Sequence, residues 1–186
     1  RPPEHPFPAA PDDVDTVLGW VAGAGADLVG PGPRFVHGDS AGANLALVAA
    51  LRNPGWFAAV ALTYPFLDPG AAGESYRSET HGFDPREAGW YWEQYAASPA
   101  DLDHPDLAPL RSEQLHTLPP TLVVTAEHDP LRDEGEELAA RLAELGVVAV
   151  GMRVLGQLHG FLRHPETFDA SEPVVRTIAG FVRQHR

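Results

Sequence analysis

A serine within the pentapeptide Gly-Asp-Ser-Ala-Gly, residues 38–42, is the first sign of chemistry in this sequence. The pentapeptide follows a short apolar run and precedes a run rich in alanine and leucine, which predicts a strand, a tight turn and a helix. Such a turn raises the hydroxyl of Ser40 above the end of a sheet, where a base can reach it. We expect glycine on both sides of the turn because the strand and helix backbones approach too closely for Cβ atoms.

The residue after the serine, Ala41, should begin the helix. Its backbone N–H could then donate a hydrogen bond to the charged oxygen of a tetrahedral intermediate. An ordinary glycine-rich turn between a strand and a helix gives the same pentapeptide, so the motif alone leaves two interpretations open. The residues that follow later in the chain decide between them.

A candidate acid and a candidate base each follow a later apolar run. A serine hydroxyl needs a base within hydrogen-bond reach, and the base needs an orienting carboxylate. Asp129 comes after the run at 121–125, and His159 comes after the run at 147–154. Such side chains lie on loops at the carboxyl ends of parallel strands. The order serine, acid, histidine is typical of a nucleophile elbow.

Other acidic residues compete for the acid's role. Glu127 lies two positions before Asp129 and could orient the base instead. We favour Asp129 because the family resemblance described below aligns it. Asp39 adjoins the serine, and we interpret it as a brace that holds the turn through hydrogen bonds.

Other histidines compete for the base's role. His81 is followed by Gly and Phe, as His159 is, but it precedes the acid and follows no predicted strand. His128 adjoins the acid in a position unsuited to connecting it with Ser40. We interpret these two histidines as solvated loop or cap residues.

The remaining pattern predicts strands that alternate with helices. Continuous apolar strands of this kind are typical of parallel sheets covered on both faces. We therefore predict a single α/β domain over residues 1–186, with a mostly parallel sheet and helices on both faces. The predicted strands are 34–37, 58–62, 121–125 and 147–154, and the predicted helices are 12–22, 41–51, 131–145 and 171–184.

The helix at 131–145 is predicted to be amphipathic. Its leucines recur on one face, and a glycine at position 146 should end it. The residues expected to face the core are Leu131, Leu138, Leu142 and Leu145, and those expected to face solvent are Glu134, Glu137 and Glu144.

Residues 67–118 differ from the rest in being rich in proline, aspartate, histidine and aromatic residues, with no predicted strand. Asp84, Pro85 and Glu87 have the residue types of an N-cap, a first helical position and a reciprocal cap at the third, so a helix should run from there to about Ala96. We expect the segment to lie over the sheet edge, partly as a lid. Packing is the favoured role, over substrate contact, for its aromatic side chains Trp90, Tyr91, Trp92 and Tyr95.

Composition excludes several function classes. The formal net charge is −13 and all 13 basic residues are arginine without a cluster, so nucleic acid is not an expected partner. Cysteine is absent, and metal-ligand spacings and phosphate loops are missing, so we predict no cofactor. No apolar run is long enough to span a membrane and no signal-peptide pattern occurs, so we expect a cytoplasmic location.

The beginning of the sequence is unusual because it lacks an initiator methionine and has five prolines within residues 1–11. We expect an extended loop there, and we expect the chain to be a piece of a longer protein. Residues 1–186 alone should then associate, because the strand at 34–37 would become an unpaired sheet edge.

Three motifs together resemble one family. Residues 38–42, the stretch Asp-Pro-Leu-Arg-Asp-Glu at 129–134 and the stretch His-Gly-Phe at 159–161 look like the hormone-sensitive-lipase-like group of α/β-hydrolases, the bacterial family IV esterases. The resemblance runs the whole length of the chain. It implies the α/β-hydrolase fold, with Ser40 as nucleophile, His159 as base and Asp129 as acid. The implied activity is cofactor-free hydrolysis of short-chain carboxylic esters through an acyl-enzyme.

The sequence departs from this family in one important respect. Family members carry a His-Gly-Gly-Gly motif whose N–H groups form most of the oxyanion hole, and it is absent here, which leaves Ala41 as the predicted donor. Alternatives are therefore a non-catalytic module that binds a small molecule, as in the gibberellin receptors that resemble this family, or an inactive fragment. The presence of all three site residues favours an enzyme whose partner is a small ester. A homodimer is a further possibility, and the sequence does not indicate the acyl or alcohol specificity.

Overall fold

A single sheet of four parallel strands organises the structure, a computed structural model that describes residues 2–186. The strands are β1 (Phe35–Asp39), β2 (Ala59–Thr63), β3 (Thr121–His128) and β4 (Ala149–Leu158). Their spatial order is β1-β2-β3-β4, and each neighbouring pair is parallel. The predicted parallel sheet is thus confirmed.

Helices cover both faces of this sheet. Side chains of the helices at 9–22, 41–52 and 132–144 form one core with Val60, Leu62 and Val123, while the helix at 171–184 packs against Ala59 and Ala61 on the opposite face. Alternate residues of a strand point to opposite faces, which explains why β2 is buried at all five positions. The helices are α1 (Ala9–Ala22), α2 (Ala26–Val29), α3 (Ala41–Arg52), α4 (Ser75–Ser78), α5 (Pro85–Tyr95), α6 (Arg132–Glu144) and α7 (Ser171–Gln184).

The N-terminal helix begins earlier than the sequence indicates. Residues 9–11 were expected in an extended loop, but α1 begins at Ala9 and includes the buried Pro11 in its first turn. Proline is tolerated there because the N–H groups of the first turn have no partner within the helix. Arg1, the first residue of the predicted loop, lies outside the described residues.

Helix α6 follows the predicted pattern except at two positions. Leu131, Leu138 and Leu142 are fully buried, as predicted, but Leu145 is 48% exposed because the helix ends at Glu144. Gly146 follows with a φ of 78°, the left-handed conformation expected of a terminating glycine. The prediction was also wrong for Glu134, which is buried and whose carboxyl oxygens accept hydrogen bonds from the N–H of Leu67 and the hydroxyl of Tyr76.

The segment at 67–118 contains helices α4 and α5 and three short 3₁₀ helices, and within its described residues it contributes no strand to the sheet. The N-cap prediction for α5 is confirmed, since the Asp84 side chain accepts from the N–H of Arg86 and Pro85 is the first helical residue. The reciprocal cap was wrong, because the Glu87 side chain makes no hydrogen bond back to Asp84 among the described residues. A separate hydrophobic cluster joins the segment to the rest of the chain. Its members are Phe7, Phe66, Tyr76, Ala88, Trp92, Leu107, Ala108 and Leu131.

None of the helices in residues 2–186 has the length and apolar character needed to cross a membrane.

Candidate active site

The turn between β1 and α3 holds Ser40 in an uncommon backbone conformation. Its φ is 56° and its ψ is −122°, values that a non-glycine residue rarely adopts. Its N–H donates to the carbonyl of Thr63 at 3.0 Å, and its own carbonyl accepts from the N–H of Ala43 at 3.0 Å. These contacts fix the strained conformation, and strain of this kind is found at functional positions.

The two glycines of the pentapeptide have different roles. A Cβ atom on Gly38 would lie 2.1 Å from the carbonyl oxygen of Gly42, so glycine is required at position 38. A Cβ atom on Gly42 would meet nothing within 4 Å. Glycine is therefore needed to avoid a backbone clash at position 38, as expected. The same expectation is wrong for Gly42, because a Cβ atom on this helical residue would point into open space.

Three predicted residues form a continuous chain of hydrogen bonds. Ser40 Oγ lies 2.9 Å from His159 Nε2, and His159 Nδ1 lies 2.8 Å from Asp129 Oδ2. A neutral histidine protonated at Nδ1 donates to Asp129, which leaves Nε2 free to accept the Ser40 proton. Asp129 is fully buried, and the N–H of Leu131 donates to its other oxygen at 2.9 Å.

The competing residues lie elsewhere. Glu127 accepts from the N–H of Gly156 at 2.6 Å, so it connects the end of β3 with β4. His128 Nδ1 lies 3.1 Å from Glu79 Oε2, and the His81 side chain is exposed. The structure thus places Asp129, and not Glu127, next to the histidine that reaches Ser40.

The aromatic rings of Tyr64 and Phe83, which no sequence pattern predicts at the site, lie against His159. The ring of Tyr64 is 4.8 Å from the imidazole, and the ring of Phe83 stacks on it at 5.0 Å with an angle of 25° between the planes. Phe83 belongs to the His-Gly-Phe stretch that was set aside as a copy of residues 159–161. Of that stretch it is the phenylalanine, and not His81, that contacts the proposed base, and no local pattern in the sequence indicates this contact.

Asp39 braces the turn of Ser40, and its main hydrogen-bond partner is Arg163, which follows His159 in the chain. The guanidinium of Arg163 donates to Asp39 Oδ2 through Nε at 2.6 Å and Nη2 at 2.5 Å. The hydroxyl of Tyr64 approaches the same oxygen at 3.4 Å. Burial raises the pKa of the Tyr64 phenol above its ordinary value, and the carboxylate of Asp39 raises it further, so the hydroxyl stays protonated and able to donate.

A cavity of about 520 Å³ opens onto the serine and the histidine. Trp92 and Tyr95 of the segment at 67–118 form part of its wall and also pack in the hydrophobic cluster of that segment. The packing role was wrong for Trp90 and Tyr91, whose side chains are 55% and 46% exposed. Asn44 and Leu45 of α3 line the cavity beside Ala41. The aromatic residues in its wall are Phe66, Phe83, Tyr91, Trp92 and Tyr95.

Ala41 begins α3 and also lines this cavity. The first N–H groups of a helix have no partner within it, and the helix dipole places partial positive charge there. Ala41 directly follows Ser40, so its N–H belongs to this first turn of the helix.

Comparison with known proteins identifies the fold and the relatives of this chain. A family described as having the α/β-hydrolase fold matches residues 1–163. A carboxylic ester hydrolase, LipN, of Mycobacterium tuberculosis is 40% identical over 174 residues, which are 86% of this chain and 46% of LipN. An arylesterase of Saccharolobus solfataricus is 34% identical over 174 residues, which are 89% of this chain and 56% of the arylesterase.

A solved structure is similar as well. The esterase of Pyrobaculum calidifontis superposes with a TM-score of 0.91 at 35% identity, over 98% of this chain and 63% of the esterase. The chain spans about half the length of the two curated relatives described above. These matches confirm the predicted α/β-hydrolase fold over nearly all of this chain.

Proposed function

The chain belongs to the α/β-hydrolase family, and from this premise we propose that the protein is a serine hydrolase of carboxylic esters. The observation that carries the proposal is the chain of hydrogen bonds from Ser40 through His159 to Asp129. It contains a nucleophile, a base and an orienting acid in the order and geometry that acyl transfer needs.

The first half of the proposed reaction forms an acyl-enzyme. Ser40 Oγ attacks the ester carbonyl carbon while His159 Nε2 accepts the hydroxyl proton. The carbonyl oxygen becomes an oxyanion, to which the N–H of Ala41 donates. As the tetrahedral intermediate collapses, the bond to the alcohol oxygen breaks and the imidazolium returns the proton to that oxygen, so the alcohol leaves neutral and the acyl group stays on Ser40.

The second half of the reaction releases the acid. A water molecule takes the alcohol's place, His159 accepts its proton, and its oxygen attacks the acyl carbon. Collapse of the second intermediate breaks the bond to Ser40 Oγ, which regains a proton from the imidazolium. Asp129 holds the correct tautomer in both halves and stabilises the imidazolium, because its carboxylate accepts from Nδ1.

We propose short-chain acyl esters as the substrate class. A cavity of about 520 Å³ has room for a small ester, and its aromatic wall favours an apolar acyl or alcohol group. We also propose that residues 67–118 act as a lid-like part of a single catalytic domain, since Phe83 and Trp92 from this segment line the cavity. A cytoplasmic location and a homodimer stay predictions.

A covalent probe tests the proposal directly. The complete protein should hydrolyse p-nitrophenyl butyrate faster than p-nitrophenyl palmitate, and a fluorophosphonate should label Ser40, as peptide mass spectrometry would show. Binding of the ester without turnover, together with no label at Ser40, would instead indicate the non-catalytic binding module.

A further inference from the structure

The base and the nucleophile come from distant parts of the sheet. Ser40 follows β1 and His159 follows β4, and the two strands are separated by β2 and β3. Three spacings between neighbouring strands amount to roughly 14 Å. Because His159 directly follows β4, the end of this strand must turn towards β1 to bring the imidazole to the serine, and the register of β4 against β3 shifts there, between Ala126 and His128.

Sheet pairing ends just before the base, because Leu158 pairs with His128 and the loop begins at His159. Gly156 lies within β4, where its N–H donates to Glu127, whereas Gly160 directly follows His159 and has a φ of 81°. Glycine allows many backbone conformations, so contacts made by the residues after Gly160 help to set the position of the loop. Phe161, which is fully buried, anchors the loop to the core beneath α7, on the face of the sheet opposite to α3.

Arg163 makes a second connection, to the strand of the nucleophile itself. Its Nε and Nη2 atoms both contact Asp39 Oδ2, at 2.6 and 2.5 Å, and Asp39 directly precedes Ser40. Tyr64 joins the two sides, because its hydroxyl approaches the same oxygen while its ring lies 4.8 Å from the imidazole of His159.

We infer that Arg163 is a positioning residue, whose ion pair with Asp39 holds the loop of His159 against the turn of Ser40. The inference rests on the proposed function, since it concerns the distance between the same base and nucleophile. Displacement of reacting groups by about 1 Å can lower a rate about 10²-fold.

The ion pair has little to contribute to folding. The Arg163 side chain is 58% exposed and that of Asp39 is 31% exposed, and ion pairs in water contribute little to stability. Loss of the ion pair should therefore change the position of His159 relative to Ser40 more than it changes stability. A variant of Arg163 should fold, and a change in its turnover should report on the position of His159.

The experiment compares matched variants of the complete protein with p-nitrophenyl butyrate. Arg163→Gln should lower kcat about 10- to 100-fold and change KM less than about threefold. Arg163→Lys should recover part of that loss, because an ammonium keeps the charge but cannot reproduce the two-point contact. The control is Arg176→Gln, which removes another exposed ion pair, that with Glu172 on α7, and should leave kcat unchanged.

A double-mutant cycle tests the pair itself. Asp39→Asn should lower kcat to a similar degree, and the double variant should be no slower than the slower single variant, because both changes break one contact. Losses that multiply would overturn the inference. An increase in KM with unchanged kcat would also overturn it, since Arg163 lines the cavity and would then act by touching substrate.

A fluorophosphonate separates this inference from the proposed function. If Ser40 is labelled in the parent and Arg163→Gln has the parent's kcat, the inference alone fails. If Ser40 is not labelled in the parent, both fail.

A salt titration gives a check that needs no variant to fold, since salt weakens exposed ion pairs. The parent's kcat should fall between about 0.05 and 1 M salt, and a constant kcat would contradict the inference.

Discussion

Ser40 and His159 follow the two outermost strands of the described sheet, yet Oγ and Nε2 lie 2.9 Å apart. Neither strand bonds to the other, so the contact forms only when β2 and β3 are in place between them. The parallel arrangement brings the carboxyl ends of all four strands to one edge, which is why residues 119 positions apart can meet there.

Replacement of the proposed nucleophile tests the chemistry most directly. Ser40→Ala should lower esterase activity by on the order of 10⁴-fold or more, because no hydroxyl remains to form the acyl-enzyme. Circular dichroism and a thermal melt should match the parent, since the Ser40 side chain contacts only His159 among the described hydrogen bonds. Activity within tenfold of the parent would remove Ser40 from the mechanism.

The two candidate acids can be compared by matched amide substitutions. Asp129→Asn should slow turnover by about 10⁴-fold, since an amide no longer holds the histidine tautomer that leaves Nε2 free. Glu127→Gln should cost less than about tenfold, because a glutamine oxygen can still accept from the N–H of Gly156. The same assay with both purified variants decides the assignment, and the reverse ranking would make Glu127 the acid.

The glycines of the serine turn should tolerate alanine very differently. Gly38→Ala should destabilise the protein by about 3 kcal/mol or more, because its Cβ would lie 2.1 Å from the carbonyl oxygen of Gly42. Gly42→Ala should be neutral or stabilising by up to about 1 kcal/mol, since alanine is the better helix former and nothing lies within 4 Å. Urea denaturation of both variants measures the difference. Equal destabilisation would show that the close approach of the Gly42 carbonyl does not restrict position 38 to glycine.

Sequence patterns predicted the sheet and the proposed site residues because both depend on local signals. Apolar runs predicted four strands, and the ends of two of them gave Asp129 and His159. The contacts of Arg163 and Phe83 had no such signal, because each depends on where a loop or lid crosses the sheet. The burial of Glu134 was missed for the same reason, since its partners come from residues 67 and 76.

The buried carboxyl of Glu134 should make stability depend on pH. Burial raises its pKa well above the ordinary value, although hydrogen bonds from the Leu67 N–H and the Tyr76 hydroxyl oppose the effect. Above about pH 4.3 the unfolded chain loses this proton while the folded protein keeps it. The free energy of unfolding therefore falls as pH rises, by up to about 1.4 kcal/mol per pH unit, until the raised folded pKa is reached.

Glu134→Gln removes this titration but retains an oxygen for the N–H of Leu67 and an amide that can donate to the Tyr76 oxygen. The stability of the variant relative to the parent should therefore increase steadily from pH 4 to pH 7, as measured by urea denaturation at each pH. The matched control is Glu137→Gln on the exposed side of α6, whose stability relative to the parent should change little with pH. A Glu134→Gln difference that stays constant over this range would mean that the carboxyl is ionised in the folded protein, with its two hydrogen bonds outweighing the effect of burial.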